Sequence, residues 1–438
     1  MRRGFDPRDN VDRVIARARK STQIQATLCL VAVYLAAALV IGCDRPVEAP
    51  AEAPVDQGTA RLVEDEVSEH LRALGYVAWD ENADQSLSGP SVHDASAVAP
   101  GANLYTNDED TVLLIDAEGT LLRRWELPGR QHCEHAELLS SGRLAVLCER
   151  EALVILETDG SVALEVPGNM HHDVAELANG SLLAPVRDES RLYRGRSVVF
   201  DSILQVFPDG TTRPLWSTWE ELETLRGLHA KGELDSWPSV RILAHYLWRW
   251  MRGKSITDHD YYHLNAVEVL GETPLGQEDA RFRSGNLLIS LRNADTLIIL
   301  DGDTLEPVWH WGEGDLELPH DPTWLADGTL LVFDNGTRRG YSRVLEVDPQ
   351  SGEITWRYPK RDERSLFSEW RGSSQRLAGG NTLICESEQG HVLEVTPEGE
   401  VVWEFWNPEL GDEGRKRIYR FMRLPPESVA LLLDSAPK

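Results

Sequence analysis

A few side chains in this sequence have both the type and the spacing to do chemistry. His171 and His172 open the phrase HHDVAELANGSLLAPV. His263 opens HLNAVEVL, which is followed by SGNLLISLRN, and His320 opens HDPTWLADGTLLVFDNG. A fourth copy, SSQRLAGGNTLICE from Ser373, has no histidine. Asn265 lies two residues beyond His263, so on an extended strand both side chains face the same way. Arg292 ends the run LLISLR, with Asn293 next to it. A lone histidine is most simply a structural group. Histidines at one offset of successive repeats are not so easily explained, and His172 stands as far from Gly180 as His320 does from Gly328.

Two chemistries fit such a cluster. Several neutral imidazoles can bind a transition metal. However, no carboxylate or cysteine repeats at the same position, and neither HExxH nor CxxC is present, so no metal site is assigned. A guanidinium and an amide beside imidazoles instead suit a tetrahedral oxyanion, with arginine as the forked donor. A histidine can also serve as the nucleophile. The sequence has no P-loop to hold a nucleotide donor.

These residues need a scaffold that brings distant repeats together. Each unit reads as a first strand, a glycine turn at Gly142, Gly180, Gly285, Gly328 or Gly380, and an apolar second strand. A third strand of the VLEVD type follows, then a fourth ending in tryptophan. Trp309, Trp356 and Trp403 stand 47 residues apart, and Trp125 and Trp216 end similar strands. Four strands per period of that length predict a β-propeller. The expected fold is all-β and six-bladed. Two outer strands lie at 102–126, and full blades at 132–167, 171–219, 263–312, 320–358 and 373–406. The tail from Arg420, RFMRLPPESVALLL, is expected to supply inner strands that close the ring and leave no open edge. First strands line a propeller's central channel, so His172, His263 and His320 should meet on one axis. The longest interruption, 220–260, contains the helical pattern VRILAHYLWRWM from Val240 to Met251. It reads as a helical insert that lines an aromatic site, packs on the rim or touches a membrane surface.

The remaining features set compartment and partners. A basic stretch from Arg2 to Lys20 precedes an apolar run, Ala26–Gly42, and VIGC has the form of a lipobox. Residues 1–43 are therefore expected to be a lipoprotein-type signal with Cys43 lipidated, or else an uncleaved signal anchor. Either places the rest of the chain on the periplasmic side of a bacterial membrane. Residues 44–100 read as a tether with a short helix at Val63–Leu74, residues 101–426 as the propeller, and residues 427–438 as a C-terminal tail. Cys133 and Cys148 flank a hairpin almost symmetrically, which suits a disulfide in an oxidising space or two buried thiols. Cys385 reads as a core thiol. A net charge of −28 over 438 residues excludes the basic footprint of a nucleic-acid surface, so an anionic substrate must be held by local cations.

At MHHDVAELANGSLL, YYHLNAVEVL, NLLISLRNADTLIIL, the His320 strand with its FDNG loop, and EGEVVWEFWNP, the chain resembles the bacterial arylsulfate sulfotransferases over about 100–425. That resemblance implies a periplasmic six-bladed propeller that moves a sulfuryl group from a phenolic sulfate ester to a phenol acceptor through a sulfohistidine, with no nucleotide donor and no cofactor. It implies His320 as nucleophile, with His263, Asn265, Arg292 and one member of the His171-His172 pair around the sulfuryl group. The spacing to Gly180 favours His172, and His171 and Asn293 are the expected substrate contacts. Either His263 or His172 would protonate the leaving phenolate. The sequence departs from the family in lacking a sizeable N-terminal β domain and in the placing of its cysteine pair, which leaves the oligomeric state open. Two alternatives remain: a non-catalytic surface propeller that binds a ligand or partner, or a metal-dependent enzyme built on the same histidines.

Overall fold

The computed structural model describes residues 87–107, 109–130, 132–193, 196–228, 259–361, 365–411 and 414–434. The signal with Cys43, the Val63–Leu74 helix and the Val240–Met251 pattern lie outside the described residues. Of the 220–260 insert, a short helix at Leu222–Gly227 is described.

Six four-stranded antiparallel sheets form the blades of a propeller. Blade 2 comprises Cys133–Leu138, Leu144–Cys148, Ala152–Leu156 and Val162–Pro167, and blade 3 comprises Ala175–Glu176, Leu182–Arg187, Asp201–Val206 and Thr212–Ser217. Blade 4 is Leu264–Val269, Leu287–Leu291, Thr296–Leu300 and Pro307–Trp311. Blade 5 is His320–Trp324, Leu330–Asp334, Arg343–Val347 and Ile354–Tyr358, and blade 6 is Ser373–Arg376, Thr382–Glu386, His391–Val395 and Val401–Trp406. Blade 1 joins the two ends of the described chain. Phe421–Leu424 is its inner strand, paired with Ala102–Thr106, and Thr111–Ile115 and Leu121–Glu126 follow outward.

Each middle strand packs on both neighbouring blades, so sequences such as TVLLI, LAVLC, ALVIL and TLIIL are buried at every position. This two-sided burial explains why they are continuously apolar and do not alternate. Adjacent residues serve opposite seams: Leu182 packs toward blade 2 and Leu183 toward blade 4. Six apolar clusters fill the six seams between successive blades, including the one between blades 6 and 1. The closing tryptophans fasten those seams. The indole N–H groups of Trp125, Trp309, Trp356 and Trp403 donate to Thr158, Pro349, Pro397 and Ala117, each a carbonyl in the outer turn of the next blade.

The sequence expectations need four corrections. The first blade contributes three strands within 102–126. A single inner strand closes the ring, and the VALLL run folds as a helix, Pro426–Asp434, with proline in its first turn and Leu432 packed into the blade 1–2 seam. The tether expected to reach residue 100 ends earlier, because Gly89–His93 form a fifth strand on the outer edge of blade 6. In blade 3 the His171 amide donates to the Pro185 carbonyl, and the chain becomes a strand only at Ala175–Glu176. The Cys133–Cys148 pair, opposed in register, is a disulfide, and Cys385 is buried in its strand.

Candidate active site

The inner strands are locked to one another by acidic side chains that accept backbone N–H groups of the next blade. Asp173 takes the amide of Val267, Glu268 that of Trp324, and Asp321 that of Ser374. These bonds fix the heads of blades 3, 4 and 5 around the axis. At those heads the backbone is left-handed at His172 (φ 68°), His263 (φ 53°) and Asp321 (φ 47°). Non-glycine residues adopt this region at a cost, and such strain gathers at functional positions.

The strained heads bring three imidazoles together. The His172 and His263 rings lie 4.8 Å apart and their Nε2 atoms 2.8 Å apart, while the His320 ring stands edge-on to His172 at 6.4 Å. His171 is fully buried behind His172, with Nε2 3.3 Å from Asp201. Among the described residues no group of three or more His, Cys, Asp or Glu has a metal-holding geometry.

His320 has a determined tautomer. The Asn335 amide nitrogen donates to the carbonyls of Ser368 and Arg371, so its oxygen faces His320 Nδ1 at 2.7 Å and accepts a proton from it. The Leu318 carbonyl, at 3.2 Å, accepts from the same nitrogen. With the proton on Nδ1, the lone pair is on Nε2. Burial, then the Arg292 charge, push the His320 pKa well below its ordinary value, so the ring is neutral.

Arg292 begins a single turn of 3-10 helix at the end of the second strand of blade 4. It is buried, donates to Asn293 Oδ1 at 2.9 Å and lies over the exposed Trp370 ring at 5.2 Å. Asn293 donates in turn to the Asp260 carbonyl. Asn265, buried, donates to the Pro319 carbonyl at 2.8 Å and so braces the residue before His320.

Four further side chains at this site were not singled out from sequence. Asp260 Oδ2 lies 2.5 Å from His263 Nδ1 and accepts from Arg187 at 2.7 Å. Burial alone would raise the Asp260 pKa, but His263 and Arg187 more than offset this and hold it low. Tyr419 stacks on the His172 ring with its hydroxyl 2.6 Å from Nδ1. Arg420 bridges Asp173 and Asp321, the residues that follow His172 and His320, at 2.8 Å to each. Asn335 lies in the FDNG loop. Tyr419 and Arg420 occupy the head of the blade 1 inner strand, the same place that His172, His263 and His320 take in their own blades.

Comparison with known proteins decides the family. A family model described as arylsulfotransferase (ASST) matches residues 91–317, just over half of the chain, and a second of the same description matches residues 241–408. The chain belongs to the arylsulfotransferase family. It is therefore a sulfotransferase on a six-bladed propeller, and membership implies a phenolic sulfate donor and a phenol acceptor. No curated protein matches the chain. Among solved structures it is similar to a protein of unknown function from Bacteroides caccae, at 13% identity and TM-score 0.46 over 74% of this chain and 98% of that one. A streptogramin B lyase aligns at 12% identity and TM-score 0.42, over 77% of this chain and 94% of its own. A virginiamycin B lyase from Staphylococcus aureus aligns at 12% and 0.40, over 75% and 86%. Likeness this low bears on neither substrate nor mechanism.

Proposed function

We propose that this arylsulfotransferase works by double displacement through a sulfohistidine at His320. Nε2 attacks sulfur in line, the nitrogen–sulfur bond forms as the bond to the donor phenol breaks, and a second phenol then takes the sulfuryl group. The observation that carries this reading is the Asn335 amide, whose two donated hydrogen bonds leave its oxygen toward His320 Nδ1 and so free the opposite nitrogen for attack. Sulfuryl transfer, like phosphoryl transfer, builds charge on peripheral oxygens in a loose transition state. The buried Arg292 guanidinium is the local cation suited to that charge, and Asn265 supports the His320 backbone. Initial rates measured over a matrix of donor and acceptor concentrations should give parallel double-reciprocal lines. Intersecting lines would mean that both substrates bind before transfer and would reject the scheme.

The same reading places the enzyme on the periplasmic side of a bacterial membrane, held by lipid on Cys43. The basic stretch, the apolar run and VIGC support this, as does the Cys133–Cys148 disulfide, which belongs to an oxidising compartment. Mass spectrometry of the membrane form should show an N-terminus at a diacylglyceryl Cys43, and an intact Met1 would indicate a signal anchor instead.

A further inference from the structure

The facing Nε2 atoms of His172 and His263 cannot both carry hydrogen in the neutral pair, and the residues at either end say which does. The low-pKa carboxylate of Asp260, 2.5 Å from His263 Nδ1, requires a proton on that nitrogen. His263 Nε2 is then an acceptor, so His172 Nε2 must be the donor across the 2.8 Å gap. His172 Nδ1 is left with a lone pair, and the Tyr419 hydroxyl at 2.6 Å donates to it. Hydrogen bonding thus runs in one direction through Tyr419, His172, His263 and Asp260.

Adding one proton reverses the inner part of this chain without moving a heavy atom. His263 becomes an imidazolium, keeps Nδ1–H on Asp260 and donates Nε2–H to His172. His172 then carries its proton on Nδ1 and donates to the Tyr419 oxygen. A hydroxyl can donate in the first state and accept in the second. The freed hydroxyl proton has a carboxylate nearby, since Glu134 Oε2 lies 3.6 Å from the same His172 nitrogen. Arg187 keeps Asp260 ionised in both states.

We infer that Asp260 positions, and Tyr419 terminates, a single one-proton relay through His172 and His263. The Tyr419 hydroxyl gives its proton to the leaving phenolate as His172 Nδ1–H passes to the Tyr419 oxygen and His263 Nε2–H passes to His172 Nε2, and the reverse sequence deprotonates the acceptor phenol. The inference rests on the proposed transfer through His320. Its balance is closed. Burial lowers the pKa of both His172 and His263, so the pair is neutral in the free enzyme and takes up one proton with the anionic ester. The protonated pair and the ester then give sulfo-His320, the neutral pair and a free phenol. Sulfo-His320, the neutral pair and the acceptor phenol then give the new ester and return both the His320 lone pair and the proton on the pair. No other reactant is required.

The test uses the full-length enzyme and donors whose leaving phenols differ in acidity. Single-turnover phenol release is measured with 4-nitrophenyl sulfate and with phenyl sulfate, in wild type, Asp260→Asn and Tyr419→Phe. A weakly acidic phenol needs the relay's proton most, so the ratio of the two rates should widen by at least ~10-fold in each variant, within the range of general-acid contributions. Asp260→Glu, which restores a carboxylate, should narrow it again. Tyr419→Phe keeps the ring stacked on His172, and decides alone if Asp260→Asn is not recovered folded. An unchanged ratio in either folded variant overturns the relay, because a merely structural defect slows both donors equally. Failure of the His320 reading is separate and visible in the same wild-type samples, as the absence of a sulfuryl group on His320.

Discussion

At the scale of single residues, the histidines and Arg292 were legible because they repeat or end a repeated strand. Their partners were not. Asn335 stood in view in the FDNG loop, but its function depends on the carbonyls of Ser368 and Arg371, which reach it only through tertiary contact. Asp260 falls in irregular sequence and is placed by a short parallel pairing of His259–Asp260 with Val198–Val199. Two outcomes follow. Arg292→Lys keeps the charge and loses the fork, so turnover should fall by roughly 100- to 1,000-fold, as when a transition-state donor is removed. Steady-state kcat measures this, and wild-type turnover would remove Arg292 from the site. Asn335→Asp puts a carboxylate on His320 Nδ1, which favours the imidazolium and raises a pKa that burial and Arg292 now depress. Because only the neutral ring can attack, the acid limb of the single-turnover rate should move to higher pH than in wild type. A pH profile of phenol release checks this, and an unmoved limb would contradict the tautomer assigned to His320.

At the scale of elements, the strand grammar was readable because each blade repeats one pattern and buries its middle strands on both sides. The Pro426–Asp434 helix is not legible in VALLL, since a short apolar run suits strand and helix equally and only its packing into the seam between blades 1 and 2 decides. Blade 6 carries a pH-dependent element of its own. His391 bridges Glu386 at 2.8 Å and Glu404 at 2.9 Å, and its ring stacks on Trp406. Burial opposes the charge, but the two carboxylates outweigh it and raise the His391 pKa, while Glu404 is pulled down to about 2. A raised folded pKa gives stability that is complete below the unfolded value, near 6.5, and is lost as pH climbs through the folded one. His391→Gln should therefore lower the melting temperature most at pH 5–6, with the deficit shrinking toward alkaline pH. Thermal unfolding at several pH values checks the sign. A deficit that grows with pH would contradict the bridge.

At the scale of the whole molecule, the ring gathers residues that lie far apart in sequence into one site. The histidine rule located the site, but not the share of it supplied by blade 1, because that blade takes its inner strand from the other end of the described chain, and its head carries Tyr419-Arg420 in place of histidine. Arg420 ties blade 3 to blade 5 through Asp173 and Asp321. Arg420→Met leaves two buried carboxylates uncompensated, so chemical denaturation should show a loss of about 3–5 kcal/mol. An unchanged midpoint would mean that the bridge does not hold the ring. The central claim, sulfuryl transfer through His320, has a direct measurement. Enzyme mixed with an aryl sulfate and no acceptor should release about one equivalent of phenol, in keeping with a covalent intermediate, and peptide mapping should place a labile sulfuryl group on His320. His320→Asn should abolish both. A full burst from that variant, or a label on His172 or His263, would contradict the account.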